Sequence, residues 1–271
     1  MRKLGLVLMV PLVVALCVPL AAQPPKRKKV LFIGQTKGFH HDSVSSAAGA
    51  IWKLGQDAGI WDTYIKTDCE WLTKQPLKNN SRNLNFFDAV VFYTTGELDM
   101  SDAQKADLLS FIREDGKGFM GIHSATDCFY KWAEYGEMIG GYFDQHPWNT
   151  FEAPLVVEDP SFPGMQYLPR AFTMRDEIYQ VKDFSRERVR VLLTLDASKL
   201  DLKNPRVHRT DNDFAVIWAR NYGKGRVLYN GLGHPEAVWD RPEIQKMVVE
   251  HLKWVMGLVP GDATPRPKPA P

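Results

Sequence analysis

The chain has 271 residues, 44% of them hydrophobic and 24% charged, with a formal net charge of +2. That length and apolar content suit a globular body that buries its own core without disulfide staples. The run Lys26-Arg27-Lys28-Lys29 carries the positive excess and the remainder is slightly acidic, which argues against a nucleic-acid partner.

The N-terminus reads as an export signal. Arg2 and Lys3 precede an apolar stretch from Leu4 to Leu20, and Ala21-Ala22-Gln23 offers small residues for cleavage. The apolar stretch approaches spanning length, so a retained membrane anchor is the alternative. Pro11 and Pro19 favour cleavage, whereas basic residues just beyond the stretch resist translocation. The expected organisation is a signal peptide over 1–22, a basic linker over 23–28, one domain over 29–258 and a disordered proline-rich tail over 259–271. Beyond the leader only Cys69 and Cys128 remain, and two unrelated buried thiols are expected.

"KVLFIG" (29–34) is an apolar run of β-formers ended by Gly34, the pattern of a buried parallel strand. A helix is expected over 43–59, a strand over 61–67 and another over 88–96. Ser101 caps the next predicted helix, which presents Ala106, Leu109 and Ile112 on one face and stops at Gly116. "GFMGIH" (118–123) reads as a fourth strand, followed by a helix over 125–140. Alternation of strands and helices argues for βαβ units and a parallel sheet. After about residue 150 the pattern turns strand-rich, with a hairpin whose turn is "NYGKG", and a last helix is expected over 241–256. The fold class is therefore α/β: a flavodoxin-like, mostly parallel central sheet flanked by helices, with antiparallel additions in the second half.

Open α/β sheets bind ligands beyond the carboxyl ends of their strands. Three histidine-bearing segments fall at such ends: "TKGFHHDS" with His40, "GIHSATD" with His123 and "NGLGHPE" with His234, while "TTGELD" supplies Glu97. Their convergence predicts one pocket. His123, His40, His234, Asp127 and Glu97 are the candidate catalytic groups, because imidazole and carboxylate suit proton transfer near neutrality. Phe39, Asp42, His146, Trp132, Trp148, Asp213 and Glu236 are candidates for binding substrate, with Tyr130 and Trp239 as further stacking surfaces. His40, His123 and His234 form the candidate metal set, with zinc the divalent ion considered. No H-E-x-x-H spacing fixes a metal locally, and adjacent His40 and His41 do not normally face one ion. Asp42 and Asp127 also suit helix capping. His208 and His251 are read as solvated or structural. The absence of G-x-G-x-x-G, a P-loop or G-x-S-x-G removes support for a nucleotide site and for a serine hydrolase.

Over roughly 29–258 the chain resembles the ThuA-like (trehalose-utilisation) family of the class I glutamine amidotransferase-like superfamily. The resemblance rests on "KGFHHDS", "FDAVVFYTTGEL", "GKGFMGIHSATD", "YFDQHP", "DEIY", "NYGKGRVLYNGLGH" and "PEIQKMVVEHLKWVMG". It implies the amidotransferase strand-to-helix elbow, with His123 where that superfamily carries its nucleophilic cysteine, so glutaminase activity is not expected. It also implies a role in using disaccharides or keto-sugars, through a carbohydrate-acting lyase, hydrolase or isomerase. A non-catalytic sugar-binding module is the alternative. The expected partner is a small carbohydrate, not a nucleotide. Where relatives carry Asp-His-Pro, this chain reads Asp213-Phe214-Ala215, so that histidine's role has no bearer here.

Overall fold

The computed structural model describes residues 26–79 and 82–268. The leader expected over 1–22 lies outside these residues, and no helix among them is long and apolar enough to cross a membrane.

Five strands of the sheet are parallel, four of them from the first half of the chain. They are β1 (Lys28–Ile33), β2 (Trp61–Lys66), β3 (Ala89–Phe92), β4 (Gly118–Ile122) and, arriving late in the chain, β11 (Gly225–Asn230). The nine-stranded sheet runs β2-β1-β3-β4-β11, then continues antiparallel through β10 (Ala215–Tyr222), β9 (Arg190–Leu195), β6 (Thr150–Val157) and β7 (Ala171–Glu177). The parallel part has the flavodoxin strand order, which reverses between β1 and β3 and opens a crevice at their carboxyl ends. A separate two-stranded ribbon pairs β5 (Tyr142–Gln145) with β8 (Gln180–Lys182).

The central strands are apolar on both faces because both are covered. On one side Val30 and Phe32 of β1 pack with Ala47 and Ile51 of α1 (Ser43–Ala58) and with Met247 and Val248 of α4 (Pro242–Val255). On the other, Leu31 and Ile33 share a core with Leu108 and Ile112 of α2 (Asp102–Arg113) and with Met138 and Ile139 of α3 (Ala133–Ile139). Local chemistry sets the helix ends. Ser101 and Gln104 form a reciprocal capping box on α2, and Gly59, at φ 67°, closes α1 in the left-handed conformation.

Two expectations are corrected. The helix expected over 125–140 begins only at Ala133, after a single 3-10 turn at His123–Thr126. The backbone between them pairs elsewhere: Gly96 N–H donates to the Asp127 carbonyl at 2.7 Å, Gly96 and Cys128 form a β-bridge, and Phe129 sits at φ 54°. Residues 261–263 of the expected tail also pack. Trp254 Nε1 donates to the Gly261 carbonyl at 3.1 Å, Arg190 Nη1 donates to Asp262 at 2.9 Å, and Ala263 is buried, because an indole N–H and a guanidinium find acceptors there. Cys69 and Cys128 are both buried free thiols.

Candidate functional site

β4 ends at Ile122, and the chain turns sharply at His123, whose φ is 40°. A non-glycine residue held in the left-handed region is strained, and strand-to-helix elbows use such strain to hold one side chain over the sheet edge. The conformation is held by Tyr229 of β11, whose hydroxyl donates to the His123 carbonyl at 2.6 Å, while Thr126 donates to Tyr229 at 3.3 Å. The imidazole itself is fully buried, with Nδ1 3.2 Å from the Gly231 carbonyl. A carbonyl can only accept, so this contact assigns the proton to Nδ1 and leaves Nε2 facing outward as a lone pair in the neutral ring.

Three further groups face that lone pair. His234 Nδ1 lies 3.2 Å from His123 Nε2. Glu177 Oε2, from the end of β7, lies 3.5 Å from His123 Nε2 and 3.3 Å from His234 Nδ1. His41 completes the group, its ring edge-on to both His123 and His234 with centroids 5.0 and 5.2 Å away. One ligand atom from each of His41, His123, Glu177 and His234 falls within 4.8 Å of every other, close enough for the four to share one ion.

Asp176, fully buried beside Glu177, organises this group. Its carboxylate accepts from Gly233 N at 2.8 Å, His234 N at 3.0 Å and Glu177 N at 2.8 Å, tying β7 to the loop after β11. Gly233 must be glycine there: its φ is 111° and a Cβ would sit 2.8 Å from the Trp239 ring.

Electrostatics follow burial. Desolvation, reinforced by His123 and His234, pulls the His41 imidazole down to about 3. Burial and His123 also lower His234. Burial pushes Asp176 up to about 6, against the pull of His123 and the three backbone donors. For Glu177 burial works upward, but the neighbouring imidazoles of His123, His234 and His146 hold it below its ordinary value.

A cavity of about 320 Å³ opens over the cluster, lined by Phe39, His41, Asp127, Phe143, His146, Glu177, Tyr179 and His234. A second, of about 470 Å³, shares Phe39, His41 and His234 and adds His40, Asp42, Arg175 and Glu236. Asp127 Oδ1 accepts from the Tyr130 hydroxyl at 2.5 Å, and burial raises this carboxyl. His146 stacks on Phe143 and places Nδ1 3.5 Å from Glu177 Oε1.

The structure thus brings His123, His234, Asp127, His146, Phe39, Asp42 and Glu236 to one cleft, and it corrects the rest. His40 is exposed and stands on the rim; its neighbour His41 is the buried member, because α1 docks at Ser43 and turns residue 41 inward. The metal set read as His40, His123 and His234 therefore becomes His41, His123, His234 and Glu177. Glu97 is exposed just past Gly96, whose φ of 80° carries the chain away, and it lines neither cavity. Trp132 is core, packed on Phe129 and Tyr135, and Trp239 is buried with Nε1 donating to the Gly233 carbonyl. Trp148 packs on Phe151 and Phe214 and donates to the Asp201 carbonyl at 3.2 Å. Asp213 is taken by Arg186, away from the cleft. Asp176, Glu177 and Tyr179 escaped the reading of the residues. Their one signal was an acidic pair in "DEIY" at the end of an otherwise alternating strand.

A family model described as trehalose utilisation (ThuA) matches residues 29–255. The chain belongs to this family. Its fold is that of a ThuA-like protein from Bacteroides uniformis (TM-score 0.70, 20% identity, 87% of this chain and 94% of that one). A ThuA-like protein from Parabacteroides merdae is similar at TM-score 0.66 and 17% identity, over 85% and 90% of the two chains. A β-galactosidase from Bacillus circulans is similar at TM-score 0.52 and 12% identity, over 88% of this chain but 32% of that enzyme. No curated protein matches. In this ThuA-family chain the elbow of the fold is kept and a histidine stands on it.

Proposed function

We propose that this ThuA-family protein is an exported enzyme acting by proton transfer on a glycoside or an oxidised sugar bound in the cleft above His123. One observation carries the reading: His41, His123, Glu177 and His234, from four distant segments, converge beneath a cavity walled by Asp127 and His146. Phe39, 65% exposed between the two cavities, offers an apolar face for a sugar ring. Asp127 Oδ1 accepts from Tyr130, and the residue lines the cavity. In the raised, protonated form that carboxyl gives its proton to a sugar oxygen, the electron pair stays on the carboxylate, and Tyr130 O–H stabilises the charge. His41 and His234 line the same cavity beside Phe39 and His146.

Glutamine hydrolysis is disfavoured on the same grounds. His123 holds the nucleophile's place, and both thiols are buried, Cys69 pushed up to about 12 and Cys128 also raised, so neither is a ready thiolate.

The test is turnover of trehalose, simple glucosides and their 3-keto forms by wild type and Asp127→Asn. Turnover in the wild type, reduced about 10²- to 10⁴-fold by the variant at unchanged melting temperature, is expected. Sugar binding with no turnover on any of these would replace the enzyme with a sugar-binding module. Export is checked separately by N-terminal sequencing of the mature protein, expected to start near Gln23.

A further inference from the structure

The donor geometry on the cleft floor raises a problem that protons alone do not solve. With the His123 proton committed to the Gly231 carbonyl, Nε2 is a lone pair, and it faces His234 Nδ1 at 3.2 Å and Glu177 Oε2 at 3.5 Å. The third edge, His234 Nδ1 to Glu177 Oε2, is 3.3 Å. A single proton on His234 Nδ1 serves one contact well and leaves Nε2 and the carboxylate oxygen opposed. A cation at the centre satisfies every edge together.

The edges have the right length for this. Donors ~2.0–2.1 Å from a tetrahedral ion lie about 3.3–3.4 Å apart. We infer that His123 Nε2, His234 Nδ1 and Glu177 Oε2, with His41 as the fourth donor, hold one divalent first-row transition-metal ion on the floor of the cavity. Nitrogen-rich donors favour zinc and its first-row neighbours, whereas calcium and magnesium call for oxygen ligands. The supporting contacts are also those of a metal centre. The Gly231 carbonyl fixes the tautomer and aim of His123, and Asp176 holds the backbone of both Glu177 and His234. The inference concerns ion binding and stands apart from the identity of the sugar.

The experiment uses the full-length protein, without a histidine tag, stripped by chelator and titrated calorimetrically with zinc chloride and with cobalt chloride. One ion per chain is expected, undisturbed by excess calcium or magnesium. Glu177→Gln should weaken binding by more than about 100-fold, beyond the 10- to 100-fold usual for an outer supporting group. His40→Gln, on the rim, should leave it unchanged. No uptake of either ion by the wild type overturns the inference, as does a His40→Gln loss equal to that of Glu177→Gln. Should Glu177→Gln fail to fold, X-ray absorption on the zinc-loaded wild type decides. Imidazole scattering from ligands at ~2.0–2.1 Å supports the site, and an oxygen-only shell refutes it.

Discussion

Replacing Arg186 by methionine should damage the fold and leave the cleft untouched. The guanidinium is bidentate to both Glu158 and Asp213, with four donor–acceptor distances from 2.6 to 2.8 Å. The three side chains are only 9%, 5% and 7% exposed. Both carboxylates accept from Nη2, so removing the arginine leaves two buried anions facing each other. Breaking a buried ion pair from one side costs about 3–5 kcal/mol. At roughly 2–4 °C per kcal/mol for a body of this size, the melting temperature should fall by about 6–20 °C. The deficit should shrink on acidification, because one of the two stranded carboxyls, its folded pKa raised, takes up a proton that the unfolded chain at the same pH does not hold. The triple variant Glu158→Met, Arg186→Met, Asp213→Leu should return most of the stability, since replacing a buried ion network by apolar residues of similar volume is often nearly neutral. Urea melts from pH 5 to 8 on the three proteins provide the test. A loss under about 1 kcal/mol, or one that does not shrink with acid, would refute the claim that these charges depend on one another.

Asp176→Asn should lower zinc affinity and turnover about 10- to 100-fold while the chain stays folded, measured by calorimetry beside a thermal melt, because an amide cannot accept from Gly233, His234 and Glu177 as the carboxylate does. His251 is fully buried with neither ring nitrogen hydrogen-bonded, and burial pulls it down to about 3. Since the unfolded chain protonates this ring near 6.5 and the folded one does not, stability should be lost as pH falls below 6.5, by about 2 kcal/mol at pH 5. His251→Met should remove that slope and cost nothing at pH 7, and parallel wild-type and variant curves between pH 7 and 5 would count against it. Phe39→Ala, at an exposed position, should change stability by less than ~0.5 kcal/mol yet weaken sugar binding by about 0.5–1.5 kcal/mol, read from ligand titrations and melts on one preparation.

Much of this protein is written in short-range chemistry. The apolar runs of β1, β3 and β4, the Ser101–Gln104 capping box and the glycine stop of α1 each depend on residues a few positions apart, so the alternation and the elbow at His123 were legible. So was the meeting of His123 and His234, because parallel strands share one carboxyl edge. What failed was everything set by distant packing. Between His40 and His41 the pattern offers no preference; the docking of α1 turns one in and leaves the other out. Glu177 belongs to the far edge of the sheet and reaches the centre only because Asp176 binds backbone 57 and 58 residues away. Asp213 seemed a ligand group until Arg186, 27 residues earlier, claimed it. A polar side chain's role is decided by its partner, and for these residues the partners are brought near only by the folded chain.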